Sequence, residues 1–209
     1  MKNNNAKLLI ISGGNVDKAF LRELVDINQY SEIIAVDHGL MAGDHLNLPL
    51  DFIVGDFDSV PKEIVDKYQR NNVPIITFPI EKDKTDTELA IDLAIQQRPK
   101  SIDIVGATGS RLDHTLANMY LLTNSLNKGI EAYIIDANNK FYLKKETFTI
   151  QKTNQYGDYI SFLPFHGDVK GLSLKGFKYP LDNVTLSAGE SICISNELIR
   201  SEERRVGKE

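Results

Sequence analysis

Tryptophan is absent from this chain, and cysteine occurs once, at Cys193. One cysteine closes no internal disulfide, so burial alone must hold the fold, and a reducing, cytoplasmic setting is expected. Cys193 itself reads as a small core residue inside SICIS (191–195) and not as a nucleophile. No apolar run approaches the ~20 residues that cross a bilayer. The opening MKNNNAKLLIIS has no long apolar region followed by a cleavage site, so no secretory signal is read there. Positive charge is not in excess: the net charge of −5 argues against bulk nucleic-acid binding, which needs basic stripes. The phosphate-cradling pattern G-x-x-x-x-G-K-[ST] is also missing, which excludes a P-loop site. What is present is 209 residues of ordinary globular composition, enough for one large domain or two small ones.

Short apolar runs alternate with helical patterns up to about residue 136. KLLIIS (7–12), EIIAVD (32–37), DFIVGD (51–56), VPIITF (73–78), SIDIVG (101–106) and EAYIID (131–136) read as buried strands. Helical patterns fall at 17–28, 61–70, 85–97 and 112–127. Continuously apolar strands separated by helices predict a mostly parallel, Rossmann-like α/β sheet covered on both faces. Ligands of such sheets sit outside the carboxyl ends of the strands. After DANNK (136–140) the pattern changes to short alternating or apolar pieces: KFYLKKETFTIQ, YISFLPF, VKGLSLKGFKYPL and SICIS, punctuated by glycines. Residues 1–137 are therefore expected to form an α/β catalytic domain, and 138–199 a small all-β domain.

Aspartates gather at the ends of the expected strands. Asp37 follows EIIAV, Asp56 and Asp58 follow DFIV with Ser59 beside them, Asp83 and Asp86 follow VPIITF, and Asp113 follows SIDIVGATGSR. One such residue can cap the next helix; repetition over four strands points to chemistry. In a parallel sheet these positions share one rim, and a rim of carboxylates repels itself unless a cation sits there. Mg²⁺ suits it, since that ion takes hard oxygen ligands and shares its sites with phosphates. Alternation along an extended Asp56-Phe57-Asp58 would aim both carboxylates one way and Phe57 into the core.

The stretch EKDKTDTELA (81–90) matches the T-x-x-E capping box at Thr85 and Glu88. The cap leaves Asp83, Asp86, Lys82 and Lys84 unexplained. A helix dipole favours one acid in the first turn by only ~0.3–1 kcal/mol, too little to call for this many. GATGSRLDHTLANMYLL (106–122) supplies the complementary part. Gly106, Thr108 and Gly109 lie in a turn from strand to helix whose N–H groups suit an anion. Arg111 offers a forked contact to phosphate. His114, Thr115 and Asn118 share its helix face, with Leu112, Leu116 and Met119 as the opposing apolar stripe.

GDFDS, EKDKTDTELA, GATGSRLDHTLAN and the late SNE (195–197), in that order, resemble the thiamine pyrophosphokinase (thiamine diphosphokinase) family over roughly residues 6–199. The resemblance implies an α/β domain followed by a β-sandwich, joined in a homodimer. The active site would lie between the catalytic domain of one subunit and the β domain of the other. It implies transfer of a diphosphoryl group from ATP to thiamine, with Mg²⁺ as cofactor. By resemblance, Asp56, Asp58 and Asp86 hold Mg²⁺, and Asp83 is a further catalytic candidate. Lys82, Lys84, Arg111 and His114 hold phosphates, with Thr85 and Asn118 as weaker candidates. Asp37 corresponds to the family's acid after the second strand, although VDHGL departs from the usual Asp-Gly-Gly. Thiamine would meet Tyr179, stacking where a tryptophan is otherwise expected, and Ser195 and Asn196 on its aminopyrimidine edge.

Residues 200–209, RSEERRVGKE, do not fit that pattern: seven of the ten are charged. The run reads as a non-native tail, the translation of a sequencing-adapter read-through, which would leave the β domain without its last strand and with an open edge. Two other functions stay open on the residues alone. FIVGDFDSV fits the nucleophile strand of a haloacid-dehalogenase-like phosphatase acting through Asp56, although that motif belongs after a first strand and here follows a third. A non-catalytic nucleotide- or thiamine-binding regulator is the other.

Overall fold

The computed structural model describes residues 6–77, 83–199 and 203–208. The chain divides into two compact units, Met1–Leu143 and Lys144–Glu209.

The first unit is built on a seven-stranded sheet. Its strands are β1 (Lys7–Ile11), β2 (Glu32–Val36), β3 (Phe52–Val54), β4 (Ile75–Ile76), β5 (Ser101–Val105), β6 (Glu131–Ile135) and β7 (Lys140–Tyr142). Their order is β4-β3-β2-β1-β5-β6-β7, with the first six parallel and β7 antiparallel to β6. Among the described residues five helices connect them: α1 (Lys18–Ile27), α2 (Gly39–His45), α3 (Lys62–Arg70), α4 (Asp86–Gln96) and α5 (Leu112–Asn127). Successive strand residues face opposite ways, so one strand feeds two cores. Leu8 and Ile10 of β1 join Ala90, Ile91 and Ala94 of α4 and Leu122 of α5. Leu9 and Ile11 join Leu21 of α1, Leu40 of α2 and Tyr68 of α3 on the other side.

The strand order sets where a ligand can enter. From β1 the chain steps outward to β4, then returns through α4 to place β5 on the other side of β1. The chain therefore leaves β1 and β5 toward opposite faces of the sheet, the place where ligands of such sheets bind. Two backbone bonds tie the loops together at their start: Ser12 N–H to Val105 O at 2.8 Å and Gly14 N–H to Gly106 O at 2.9 Å.

Strand β7 pairs with β6, with Tyr133 opposite Tyr142, so the first unit runs on to Leu143 and past the expected break at residue 137. The second unit centres on a four-stranded antiparallel sheet: β8 (Phe148–Gln151), β9 (Val169–Lys175), β10 (Leu181–Leu186) and β11 (Glu203–Lys208), in the order β10-β9-β11-β8. A 3₁₀ turn covers Lys152–Asn154. YISFLPF and SICIS, expected as strands, lie outside the named strands; Ile160 of the first forms an isolated bridge with Asn196, one residue past the second. Their residues Ile160, Phe162 and Cys193 still pack with Leu174, Phe177 and Leu186, giving the unit its second layer. The expected open edge is corrected as well. Strand β11 lies between β9 and β8, and Val206, only 4% exposed, belongs to the core.

Candidate active site

Three carboxylates converge at the ends of β2, β3 and α4. Asp37 follows β2 with a left-handed φ of 45°, and its N–H bonds Val54 O at 3.0 Å. Its carboxyl takes a hydrogen bond from Asp56 N–H and shares another with the Asp86 carboxyl. Burial first, and then the Asp86 and Asp56 charges, push the Asp37 carboxyl up to about 7, while the Asp56 N–H works the other way. Asp37 Oδ1 is buried and makes no hydrogen bond. A positive charge here would answer all three features: it would occupy the unmatched oxygen, oppose the repulsion and offset the burial. The donor set, oxygens only, suits a hard cation such as Mg²⁺. Among the described residues no three acidic, His or Cys side chains close into a ready-made metal cage. Mg²⁺ needs none, since it usually takes one or two carboxylates and completes its shell with waters and phosphates.

Asp58 and Ser59 stand exposed after β3, and Phe57 is buried between the two aspartates, as alternation predicted. The route is different. Phe57 has φ +61°, and Asp58 N–H bonds Asp56 Oδ1 at 3.2 Å, so this is a tight turn and not an extended run. Asp83 is exposed ahead of α4, and Lys82 lies outside the described residues.

Thr85 caps α4, its Oγ1 accepting Glu88 N–H at 3.2 Å. Lys84 is turned back along the helix, with Nζ 2.6 Å from Asp92 and 3.3 Å from Glu88. Those two carboxylates raise its affinity for the proton, so it stays cationic. Reaching a phosphate means leaving them.

The turn after β5 carries Gly106, Thr108, Gly109 and Arg111. Gly106 has φ +67°, and a β-carbon there would collide with Ser12 O, so the turn can close on the β1 loop only with glycine. Thr108 Oγ1 donates to Asp136 Oδ2 at 3.0 Å, and Asp136 also accepts the N–H groups of Asn138 and Asn139. Arg111 forks onto Asp113, with distances of 2.6 and 3.3 Å, which holds Asp113 down to about 2. Asp113 therefore answers Arg111 and does not join the carboxylate cluster. His114 is exposed on the first turn of α5.

The apolar stripe expected on α5 is corrected in part: Met119 packs against the core, but Leu112 and Leu116 do not. Leu112 and Leu116 are 73% and 56% exposed, and the helix instead buries Asn118, Leu122 and Ser125. Asn118 Nδ2 donates to Ala107 O at 2.8 Å, which makes it a brace for the Gly106 turn rather than a free phosphate ligand.

In the second unit Asn196 is 2% exposed. Its side chain accepts Tyr179 N–H at 3.0 Å and donates to Tyr179 O at 2.8 Å. Both ends of that amide therefore hold the Tyr179 backbone, and the Tyr179 side chain is left 55% exposed. Ser195 is exposed, with its N–H on Ser161 Oγ.

Sequence reasoning missed the Ser12-Gly13-Gly14 loop after β1 and the Thr87 hydroxyl on α4. Ser12 Oγ and Thr87 Oγ1 are 2.7 Å apart and buried. A Ser-Gly-Gly run just past the first strand was the available signal; Thr87 carried none.

Residues 25–134 match the family described as "Thiamin pyrophosphokinase, catalytic domain", and residues 145–207 match "Thiamin pyrophosphokinase, vitamin B1 binding domain". A thiamine pyrophosphokinase of Bacillus subtilis is 39% identical over 148 residues, which is 70% of this chain and 69% of that one. The crystal structure of the thiamine pyrophosphokinase from Bacillus subtilis superposes with a TM-score of 0.85 at 31% identity, covering 96% of this chain and 93% of the other. That from Geobacillus thermodenitrificans gives 0.80 at 33%, covering 96% and 92%.

Proposed function

The chain belongs to the thiamine pyrophosphokinase family, and from that premise we propose that the carboxylate cluster at the ends of β2, β3 and α4 is its catalytic centre. The chain is a transferase that moves the diphosphoryl group of ATP to the hydroxyl of thiamine, giving thiamine diphosphate and AMP. The phosphatase and regulator readings are not favoured beside matches to both domain families. The observation that carries the site is the meeting of the Asp37 carboxyl with Asp56 and Asp86, its second oxygen being buried and without a partner.

In this reading Asp56, Asp58 and Asp86 hold Mg²⁺, with Asp37 and Asp83 beside them. The ion, when bound, supplies neutralisation of phosphate charge. The chain's own work is positioning. The Gly106–Arg111 turn and the N-terminus of α5 receive phosphate oxygens through N–H groups, and Arg111, His114, Lys84 and Lys82 add positive charge. The thiamine hydroxyl oxygen attacks the β-phosphorus in line. A new O–P bond forms, the bond from that phosphorus to the oxygen bridging the α-phosphate breaks, and AMP leaves with the bridging oxygen. The hydroxyl proton passes to solvent. Such a transfer rests on alignment and charge stabilisation more than on covalent participation by the protein.

The first unit is thus the ATP- and Mg²⁺-binding domain, and the second the thiamine-binding domain, with Tyr179 stacking on the substrate and Ser195 at its polar edge. Asn196 serves by holding Tyr179. A cytoplasmic homodimer whose sites lie between subunits completes the proposal. Among the described residues no helix is long and apolar enough to cross a membrane.

Incubation with ATP, Mg²⁺ and thiamine should yield AMP and thiamine diphosphate in equal amounts. Asp58→Ala and Asp86→Ala should each lower kcat by at least about a hundredfold while circular dichroism stays native. Near-normal rates in both would refute their place in the centre.

A further inference from the structure

A buried hydroxyl pair joins the end of β1 to the first turn of α4. Ser12 is 3% and Thr87 9% exposed. A hydroxyl withdrawn from water costs stability unless it finds a partner, and here Ser12 Oγ and Thr87 Oγ1 meet at 2.7 Å. Packing alone already holds α4 to the sheet, because Ala90, Ile91 and Ala94 are fully covered. The hydroxyl bond acts further forward, on the turn that begins with Asp86.

Ser12 is a firm point of attachment. Its N–H is bonded to Val105 O, and its carbonyl lies so close to Gly106 that a β-carbon there would strike it. The anchor therefore ties the α4 turn to the same place against which the candidate phosphate turn closes.

We propose that Ser12 and Thr87 are positioning residues: their hydroxyl bond fixes the first turn of α4 so that Asp86 is presented to the cation at the ends of β2 and β3, beside the phosphate turn that follows β5. The inference rests on the reading of Asp86 as a cation ligand. Neither hydroxyl touches substrate; each acts through the helix turn that bears the carboxylate. Partners of this kind, one step removed from a metal ligand, typically change metal affinity by about 10–100-fold when removed.

Four proteins test it: wild type, Thr87→Val, Thr87→Ser and Asp86→Ala. Thr87→Val keeps shape and loses the hydroxyl; Thr87→Ser keeps the hydroxyl and loses a methyl group. Mn²⁺ binding is followed by electron paramagnetic resonance with ATP present and thiamine omitted. Half-saturating Mg²⁺ is measured separately in the full assay. Thr87→Val should weaken Mn²⁺ binding about tenfold and raise half-saturating Mg²⁺ by a similar factor, more than it lowers kcat at saturating Mg²⁺. Thr87→Ser should restore binding to within about twofold of wild type, the residual being the lost methyl contact. Should Thr87→Val fail to fold, Ser12→Ala removes the same bond from the other side and should show the same shift. Unchanged Mn²⁺ binding in Thr87→Val, or equal weakening in Thr87→Val and Thr87→Ser, overturns the proposal. If Asp86→Ala binds Mn²⁺ as wild type does, the assignment of Asp86 fails first and takes the inference with it, a result distinct from the other two.

Discussion

A single methyl group added at Gly55 would reach the Asp37 carboxylate. The residue has φ +144°, outside the range L side chains favour, and a β-carbon there would overlap Asp37 Oδ1. Its N–H is bonded to Ile76 O at 3.1 Å, so the backbone has little room to yield. Gly55→Ala is therefore expected to destabilise the fold by about 1–3 kcal/mol, the usual range for a side chain forced into a sparsely populated backbone region. It should also displace Asp37 and depress turnover beyond what the loss of stability explains. Denaturant melts and kcat at saturating Mg²⁺ measure the two effects, and an alanine variant with wild-type turnover would remove Asp37 from the site. At this scale the sequence was legible where chemistry repeats. Aspartates after several strands pointed to the place where the structure brings Asp37, Asp56 and Asp86 together, because their charge is costly to gather. It was silent where geometry decides: that Asp113 neutralises Arg111, that Lys84 folds back on Asp92, and that Asn196 holds Tyr179 depend on rotamers no spacing reveals.

Among the elements, the buried strands were readable because parallel strands covered on both faces are apolar at nearly every position. Helices α1, α3, α4 and α5 were readable from their periodicity. Helix α2 was not, since it spans seven residues, begins with Gly39 and contains Gly43. Strand β11 was the larger surprise. A charged run with one apolar residue has no strand signature, yet it pairs with β9 on one side and β8 on the other. Tertiary pairing overrides composition there, and Val206 joins the core. Among the described residues β8 pairs with no strand except β11. Val206→Asp, which would bury an unpaired charge, should therefore release β8 first. Hydrogen exchange should show lost protection at 148–151 and 169–175 with protection retained at 101–105. Unchanged exchange in the first two segments would mean that β11 does not hold the second unit together.

For the molecule as a whole, the proposed homodimer makes its own prediction. The carboxylates and the Gly106 turn belong to one unit and Tyr179 to the other. If each active site joins the first unit of one subunit to the second unit of its partner, two defects on different units can be separated by mixing. Asp86→Ala damages the first unit, and Tyr179→Ala should raise the KM for thiamine through the second. A heterodimer of the two would contain one site carrying both defects and one site carrying neither. Random exchange of equal amounts makes half the dimers mixed, so about a quarter of all sites regain both intact parts. Activity at limiting thiamine should then rise, on mixing and re-equilibration, to about a quarter of the wild-type level, well above either variant alone. If each site were built within one subunit, every site would keep exactly one defect and mixing would restore nothing. The same experiment on Asp86→Ala with Asp58→Ala is the control, because both defects lie on the first unit and no exchange of second units can separate them from a site.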